Sequence, residues 1–152
     1  MKIGIISDIH GLLCEAAHAA LSSCDLIICA GDTERESVLM ELDAIAPTIA
    51  VMGNCDRRSC GFDLPYTASP RIGGVRFFVT HRPEDIGAPA DDVAVIVHGH
   101  THVPRNETIY GIRYVNPGSA THPRGGSKRS IAVLSIEEGS VRSVEFVEFS
   151  DL

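Results

Sequence analysis

The sequence predicts an α/β fold in which two β-sheets pack together with helices outside, with residues 1–152 forming one domain. Strand-like and helical segments alternate in the first half, which is typical of parallel strands joined by helices. Glycine-containing turns separate strand-like segments in the second half, which predicts hairpins. The sequence contains no internal repeat, low-complexity tract or linker long enough to divide the chain.

The first half predicts the order strand, helix, strand, helix, strand. Residues 3–7, 26–30 and 48–52 are short apolar runs, as expected of strands buried on both faces. Residues 12–22 are alanine-rich and carry apolar residues at helical spacing, and residues 37–44 predict a second helix. This half is therefore expected to form a parallel sheet.

The second half predicts mostly strands with antiparallel pairing. Three hairpins are expected, with turns at Gly73-Gly74, within residues 109–114 and at residues 138–140. Residues 93–97 form a further apolar run that predicts a buried strand.

The composition limits the class of protein. The net charge is −7, from 13 basic and 20 acidic residues, which disfavours dedicated nucleic-acid binding because such binding depends on basic residues. The five cysteines show no CxxC spacing, so neither a disulfide framework nor a zinc knuckle is expected. Free thiols, with no signal peptide and no apolar run of the ~20 residues that span a bilayer, predict a cytoplasmic protein without a membrane segment.

Groups able to bind metal follow each of five apolar strands. In open α/β sheets, ligands gather outside the carboxyl ends of the strands, so a shared sheet edge would bring these side chains together. They are Asp8 and His10 after the first strand, Asp32 after the second, Asn54 after the third, His81 after the Gly-Gly hairpin, and His100 and His102 after residues 93–97.

This donor set predicts a site for two divalent metal ions. Carboxylate and imidazole suit Mn²⁺, Fe²⁺, Zn²⁺ or Ni²⁺ better than Ca²⁺, and Asp32 is central enough in the series to bridge two ions. Two cations, less Asp8, Asp32 and one bridging hydroxide, leave a net charge of about +1, which suits a singly charged phosphodiester. Asp56 lies nearby in the sequence and would lower this charge further.

These residues resemble the motifs of the calcineurin-like metallophosphoesterases, in the same order along the chain. Two later motifs narrow the resemblance to the compact YfcE-like phosphodiesterase branch. The motifs are Asp8-Ile9-His10, Gly31-Asp32, Gly53-Asn54-Cys55-Asp56, Thr80-His81 and Gly99-His100-Thr101-His102, followed by Asn116-Pro117-Gly118-Ser119 and Pro123-Arg124-Gly125.

The resemblance implies a four-layer α/β/β/α sandwich of two mixed sheets. It implies one ion held by Asp8, His10, Asp32 and His102, and a second held by Asp32, Asn54, His81 and His100. Manganese is the first choice of metal, with nickel, iron or zinc as alternatives. The implied activity is hydrolysis of a small phosphodiester by a metal-bridging hydroxide, with Asn54 and His100 orienting the phosphoryl group. Cys55 and Asp56, which follow Asn54 in the same motif, complete the expected catalytic residues.

Three departures from the family pattern stand out. The wider superfamily has a histidine where this chain has Cys55, as in the YfcE-like branch, so esters with good leaving groups are expected to react best. Arg82 follows His81 where the family usually has glycine. The segment between His81 and His100 is short, contains Pro83 and Pro89, and predicts a loop where the family has a longer helix.

Each motif alone has a simpler interpretation. Asp8 and Asp32 would suit helix caps, Asn54 a turn, and His100 and His102 a surface turn. For His122, which follows the Asn-Pro-Gly-Ser motif, a surface loop is favoured over contact with substrate.

Two other functions compete with the phosphodiesterase. The first is a protein-interaction scaffold, as in the retromer subunit that resembles this family; the apparent retention of all seven ligands favours the enzyme. The second is a nuclease acting on polymer, which the net charge of −7 disfavours. The sequence leaves the oligomeric state open, with a homo-oligomer as one alternative, and gives no sign of a dedicated protein partner.

Overall fold

The computed structural model describes residues 1–56 and 63–150. Cys60, one of the five cysteines considered above, lies outside the described residues. In chain order the elements are β1 (Lys2–Ile6), α1 (Glu15–Leu21), β2 (Leu26–Cys29), α2 (Glu36–Ile45), β3 (Thr48–Ala50), β4 (Thr67–Ala68), β5 (Arg71–Ile72), β6 (Val75–Thr80), a 3₁₀ turn (Pro83–Asp85), β7 (Val93–Val97), β8 (Arg105–Ile109), β9 (Ile112–Asn116), β10 (Arg129–Glu137) and β11 (Ser140–Phe149).

The strands form two mixed sheets. The first has the order β11-β10-β1-β2-β3, in which β1, β2 and β3 are parallel and β10 is antiparallel to β1. The second has the order β4-β6-β7-β9-β8, with β5 also paired to β6. The hairpins β5–β6, β8–β9 and β10–β11 are antiparallel, which confirms the three predicted turns.

The antiparallel prediction for the second half is wrong for two pairs of strands. Strand β6 pairs with β7 and β7 pairs with β9, both in parallel. The segments before β7 and before β9 each return the chain to the same end of the sheet, so these neighbours run in one direction. Local turn signals reveal hairpins only and carry no information on such crossovers.

The hydrophobic core has two layers, one on each face of the first sheet. Between the two sheets, side chains such as Ile5 and Ile28 pack with Phe77 and Val95, and all four are fully buried. On the other face, strand residues such as Ile6 and Ile27 pack against α1 and α2, which contribute apolar side chains at helical spacing: Ala17, Leu21, Val38 and Leu42. The central strands are therefore buried on both faces, as their isoleucine content predicts.

These features confirm the predicted fold class of two mixed sheets with helices outside. The segment between His81 and β7 contains one 3₁₀ turn, Pro83–Asp85, and otherwise no helix, so the loop prediction for it is confirmed. Helix α1 begins at Glu15, three residues later than predicted, because the preceding residues form the loop that carries Asp8 and His10.

Candidate metal centre

The seven predicted ligands lie in loops at the carboxyl ends of β1, β2, β3, β6 and β7. Backbone hydrogen bonds tie neighbouring loops together: Asp8 N–H donates to the Gly31 carbonyl at 3.0 Å and Gly99 N–H donates to the His81 carbonyl at 2.9 Å. The His100 N–H donates to Asp8 Oδ2 at 3.1 Å and so joins the two sheets. The predicted convergence of these strand ends is present in the structure.

One half of the cluster consists of Asp8, His10 and His102. His102 Nε2 lies 3.2 Å from Asp8 Oδ1 and 3.3 Å from His10 Nε2. One potential ligand atom from each of the three residues lies within 4.8 Å of the others. This spacing allows a single cation to contact all three.

The other half consists of Asp32, Asn54, His81 and His100. His81 Nε2 lies 3.3 Å from Asp32 Oδ2 and 2.9 Å from Asn54 Oδ1, and His100 Nδ1 lies 3.1 Å from the same amide oxygen. Asp8, Asp32 and His81 also offer ligand atoms within 4.8 Å of one another. The two halves therefore meet at the aspartates.

Asp8 carries a buried carboxylate oxygen that has no hydrogen bond. The residue is fully buried, and its Oδ2 accepts from Ser7 Oγ at 2.8 Å as well as from the His100 N–H. Among the described residues, Oδ1 has no hydrogen-bond partner, although it lies 3.8 Å from His81 Nε2 and closer to His102. Burying such an atom is costly unless it is paired, and a cation between these groups would pair it.

Three of the imidazoles are held with Nε2 directed into the cluster. In each, Nδ1 lies within hydrogen-bond distance of a protein acceptor: Glu34 Oε2 at 2.6 Å for His10, the Ala30 carbonyl at 2.7 Å for His81, and the His122 carbonyl at 2.5 Å for His102. An acceptor at Nδ1 favours the tautomer with the proton on that nitrogen, which leaves the Nε2 lone pair available to a metal.

Comparison with known proteins identifies the family. Residues 1–139 match the calcineurin-like phosphoesterase superfamily domain. The chain belongs to this superfamily. The phosphodiesterase YfcE of Escherichia coli K12 is 31% identical over 93% of this chain and 91% of its own, and the protein named "Probable metallophosphoesterase YsnB" of Bacillus subtilis is 34% identical over 90% of this chain and 85% of its own.

Solved structures agree with this assignment. YfcE from E. coli, described as a phosphoesterase, superimposes with a TM-score of 0.75 at 27% identity, covering 95% of this chain and 98% of that one. The resemblance to the YfcE-like branch is thereby confirmed. Vps29 of Entamoeba histolytica, solved in complex with Zn²⁺, shares the fold with a TM-score of 0.74 at 22% identity, covering 99% and 100% of the two chains. Of the helices in the described part of this chain, none has the length and apolar content needed to cross a bilayer.

Opposite charges influence the pKa values of Asp32 and His81 in this chain. Burial alone would raise the pKa of Asp32, but its hydrogen bond to His81, the nearby imidazole charge and the Cys55 N–H hold the pKa at about 2, below the usual 3.8. Burial alone would lower the pKa of His81, but the two aspartates raise the pKa above 6.5. Without metal, the charged forms of Asp32 and His81 therefore stabilise each other.

Cys55 lies where the wider superfamily carries a histidine. Its ligand atom lies within 4.8 Å of those of His10 and Asp32, so the thiol borders the cluster. Burial, followed by the negative charge of Asp32, raises the pKa of Cys55 to about 11. The side chain is therefore a neutral thiol at physiological pH and a weak nucleophile.

Asp56 holds two loops together. Its carboxylate accepts from the Glu34 N–H at 2.7 Å and from the Gly53 N–H at 2.9 Å, and the residue is buried. Both carboxylate oxygens are thus occupied by backbone donors. This arrangement suits a residue that positions the two loops, and the catalytic role expected for Asp56 stays a prediction.

The ligand loops adopt a backbone conformation that non-glycine residues rarely take. Each such residue costs about 1–3 kcal/mol and persists only where the surroundings enforce it, most often at functional sites. Five of the seven predicted ligands are in this left-handed region: Asp8 (φ 53°), His10 (φ 50°), Asp32 (φ 56°), His100 (φ 73°) and His102 (φ 62°).

Sequence reasoning did not identify two residues that support the centre. Glu34 orients His10, and Asn116 Nδ2 donates to the Gly99 carbonyl at 3.2 Å and to Thr101 Oγ1 at 2.9 Å, which fixes the loop carrying His100 and His102. Asn116 belongs to one of the motifs, but the motif does not indicate that its side chain supports this loop. No motif of the sequence contains Glu34. His122 is exposed, as predicted, but its backbone carbonyl belongs to the centre.

Proposed function

We propose that this chain is a dinuclear metal-dependent phosphodiesterase that hydrolyses small phosphodiesters. The observation that carries the proposal is the buried Oδ1 of Asp8, which has no hydrogen-bond partner within the described residues and lies 3.2 Å from His102 Nε2 and 3.8 Å from His81 Nε2. Nitrogen and oxygen donors gathered around a buried carboxylate suit a transition-metal ion. The residues present therefore fit the metal ions that the superfamily implies.

Two ions would divide the cluster. Asp8, His10, Asp32 and His102 would hold one, and Asp32, Asn54, His81 and His100 would hold the other, with Mn²⁺ as the first choice and Ni²⁺, Fe²⁺ or Zn²⁺ as alternatives. Two overlapping groups with ligand spacing, Asp8-His10-His102 and Asp8-Asp32-His81, support a pair rather than a single ion. When bound, the ions supply Lewis acidity that neutralises a phosphate and lowers the pKa of water.

The protein groups around the cluster suit a substrate of low negative charge. Asp8 and Asp32 contribute two negative charges, and Cys55 stays neutral because its pKa is about 11. Asn54 is exposed and His100 is half-buried, so both can contact a phosphoryl group at the open side of the cluster. A phosphodiester carries one negative charge and has no second ionisable oxygen. It therefore matches the low positive charge that two metal ions would have beside Asp8 and Asp32.

Cys55 affects which esters react. A thiol whose pKa lies near 11 donates a proton poorly to a departing alkoxide at neutral pH. Diesters whose leaving group is already stable as an anion need no such donor. We therefore expect phenolic or similarly acidic leaving groups to react fastest.

The scaffold alternative draws on the likeness to Vps29, which at 22% identity concerns the fold alone. The described residues here contain all seven candidate ligands, with three imidazoles oriented by acceptors at Nδ1. Oriented imidazoles of this kind suit a metal site that performs catalysis, which favours the enzyme.

The deciding experiment is hydrolysis of bis-p-nitrophenyl phosphate by metal-stripped protein, with and without Mn²⁺. We expect turnover only with the metal and its loss in Asn54→Ala, while Asn106→Ala on β8, an exposed asparagine that bonds to Arg113 away from the cluster, keeps wild-type turnover. Absence of turnover with each of Mn²⁺, Ni²⁺, Fe²⁺ and Zn²⁺ in folded protein would exclude the enzyme and leave the scaffold.

A further inference from the structure

A cavity of about 380 Å³ opens beside the Asn54–His81 side of the cluster. Besides these two residues, Met52, Tyr66, Arg82 and Asp85 line it. The volume falls in the range of sites that bind small organic ligands. A phosphate held at the cluster would therefore place one of its ester groups against this cavity, an inference that rests on the proposed function.

Tyr66 offers an aromatic surface in this cavity. The residue is 75% exposed and its hydroxyl makes no hydrogen bond with the described residues. A large apolar ring left open at a cavity wall is a stacking platform for another planar ring. Met52, almost fully buried, adds an apolar contact to the same wall.

Arg82 and Asp85 supply the polar rim. Both are exposed, and neither side chain forms an ion pair or hydrogen bond within the described part of the chain. They sit at the two ends of one 3₁₀ turn, in which the Asp85 N–H donates to the Arg82 carbonyl at 3.0 Å and Pro83 restricts the backbone. The rim thus presents hydrogen-bond donors and an acceptor from a restrained element.

The mixed charge of this rim selects between two kinds of ester group. A second phosphate would be attracted by Arg82 but repelled by Asp85. A neutral heterocycle that carries a carbonyl oxygen and an amino or imino N–H satisfies both, since guanidinium donates and carboxylate accepts. The aromatic wall formed by Tyr66 favours the same choice.

We propose that this cavity binds the nucleoside part of a nucleoside phosphodiester. The base lies against Tyr66, its polar edge meets Arg82 and Asp85, and the phosphate lies at the metal cluster. Tyr66 and Arg82 are thus specificity-determining residues of the phosphodiesterase. Arg82 lines the cavity directly after the predicted ligand His81 and so lies between the base and the phosphate subsite.

The test compares two diesters that release the same p-nitrophenolate, thymidine 5′-(p-nitrophenyl phosphate) and methyl p-nitrophenyl phosphate, with Mn²⁺-loaded protein. We expect kcat/KM to be about tenfold higher for the thymidine ester, through a lower KM, in line with the contribution of one stacked base. Tyr66→Ala and Arg82→Ala should each lower kcat/KM for the thymidine ester more than for the methyl ester and so remove most of this preference.

Two matched controls should keep the preference. Tyr110→Ala removes a fully exposed tyrosine from the β8–β9 turn, and Arg142→Ala removes an exposed arginine that pairs with Glu137 on the β10–β11 hairpin. Equal kcat/KM for the two esters in the wild type would overturn the inference. Equal losses on both esters in Tyr66→Ala and Arg82→Ala would overturn it as well.

A binding measurement separates this inference from the proposed function. Calorimetry of Mn²⁺-loaded protein should show thymidine 5′-monophosphate binding about tenfold more tightly than methyl phosphate, with the difference lost in Tyr66→Ala. If neither diester is hydrolysed with any metal but the nucleotide still binds more tightly, the phosphodiesterase fails and the nucleoside site stands. Equal binding of the two phosphates would overturn the nucleoside site even in an active enzyme.

Discussion

His10 Nδ1 lies 2.6 Å from Glu34 Oε2, and this contact fixes which nitrogen of the imidazole faces the metal cluster. Carboxylate partners of this kind orient metal-binding histidines and raise their basicity, and their loss typically costs 10–100-fold in metal affinity. The Glu34 N–H also donates to Asp56, so the backbone of this residue is anchored independently of its side chain.

The first prediction follows from this contact. Glu34→Ala should weaken Mn²⁺ binding by about 10–100-fold, measured by calorimetry on metal-free protein, because the His10 ring loses its orienting acceptor. Glu34→Gln keeps a neutral acceptor and should lose less. Glu145→Ala, which removes an exposed glutamate from β11, is the control. Unchanged affinity in Glu34→Ala would show that the carboxylate does not support the metal.

The second prediction concerns the pH dependence of the metal-free protein. The pKa of Asp32 is lowered from 3.8 to about 2, so its contribution to stability is present above about pH 4 and is lost as pH falls toward 2. The pKa of His81 is raised above 6.5, so its contribution is present below pH 6.5 and is lost as pH rises through the raised value. Stability of the metal-free protein should therefore decline on both sides of the range from about pH 4 to 6.5.

Thermal melts from pH 3 to 9 would measure this effect, with Asp32→Asn as the variant and His18→Gln, at an exposed position of α1, as the control. Asp32→Asn should reduce the loss of stability at both low and high pH. The substitution removes the titrating carboxylate of Asp32, which is also the main partner of His81. The control should follow the wild type. Metal binding must displace the His81 proton, so Mn²⁺ affinity should rise as the pH increases through the raised pKa of His81. If the melting temperatures of wild type and Asp32→Asn change with pH in the same way, the Asp32–His81 pair is not the cause of the pH dependence.

The sequence predicts that the candidate ligands converge because each of them follows a strand of a parallel sheet. Asp8, Asp32 and Asn54 each follow a strand, and three parallel neighbours necessarily bring their carboxyl ends to one edge. The contributions of Glu34 and Tyr66 could not be predicted in this way. Their roles depend on where loop side chains reach, and the spacing along the chain does not determine that. The parallel pairing of β7 was missed for a related reason, since crossovers leave no local signal.

The third prediction concerns the packing of Gly53 against Asp32. A Cβ added to Gly53 would overlap Asp32 Oδ1 and the Asp32 backbone nitrogen. Because the obstructing atoms include backbone, Gly53→Ala should destabilise the protein by roughly 1–3 kcal/mol in denaturant unfolding, the usual cost of overpacking. It should also weaken Mn²⁺ binding, because Asp32 must move.

Gly111→Ala provides the comparison for Gly53→Ala. Gly111 has a left-handed backbone (φ 80°) with open space around its Cβ position, so alanine there incurs a conformational cost without a clash. It should leave Mn²⁺ affinity unchanged. Equal Mn²⁺ affinity in the two variants would show that the close approach of Gly53 to Asp32 is not needed by the site.

The fourth prediction concerns Cys55. The thiol keeps its proton at neutral pH because its pKa is about 11, so it should not act as the nucleophile. Cys55→Ser, which preserves size and a weak donor, should therefore keep turnover of bis-p-nitrophenyl phosphate within a small factor. Cys55→His would introduce a side chain that can protonate a leaving group near neutral pH, with a typical gain of about 10²–10⁴-fold where proton transfer limits the rate.

The measurement for Cys55 is a leaving-group series of aryl and alkyl phosphodiesters with Mn²⁺-loaded protein. In the wild type, log kcat/KM should fall steeply as the leaving group becomes more basic, and Cys55→His should flatten this dependence by accelerating the poor leaving groups. Mn²⁺ affinity in each variant, measured by calorimetry, separates an effect on chemistry from damage to the centre. Loss of all turnover in Cys55→Ser with intact metal binding would instead give the sulfur a direct chemical role.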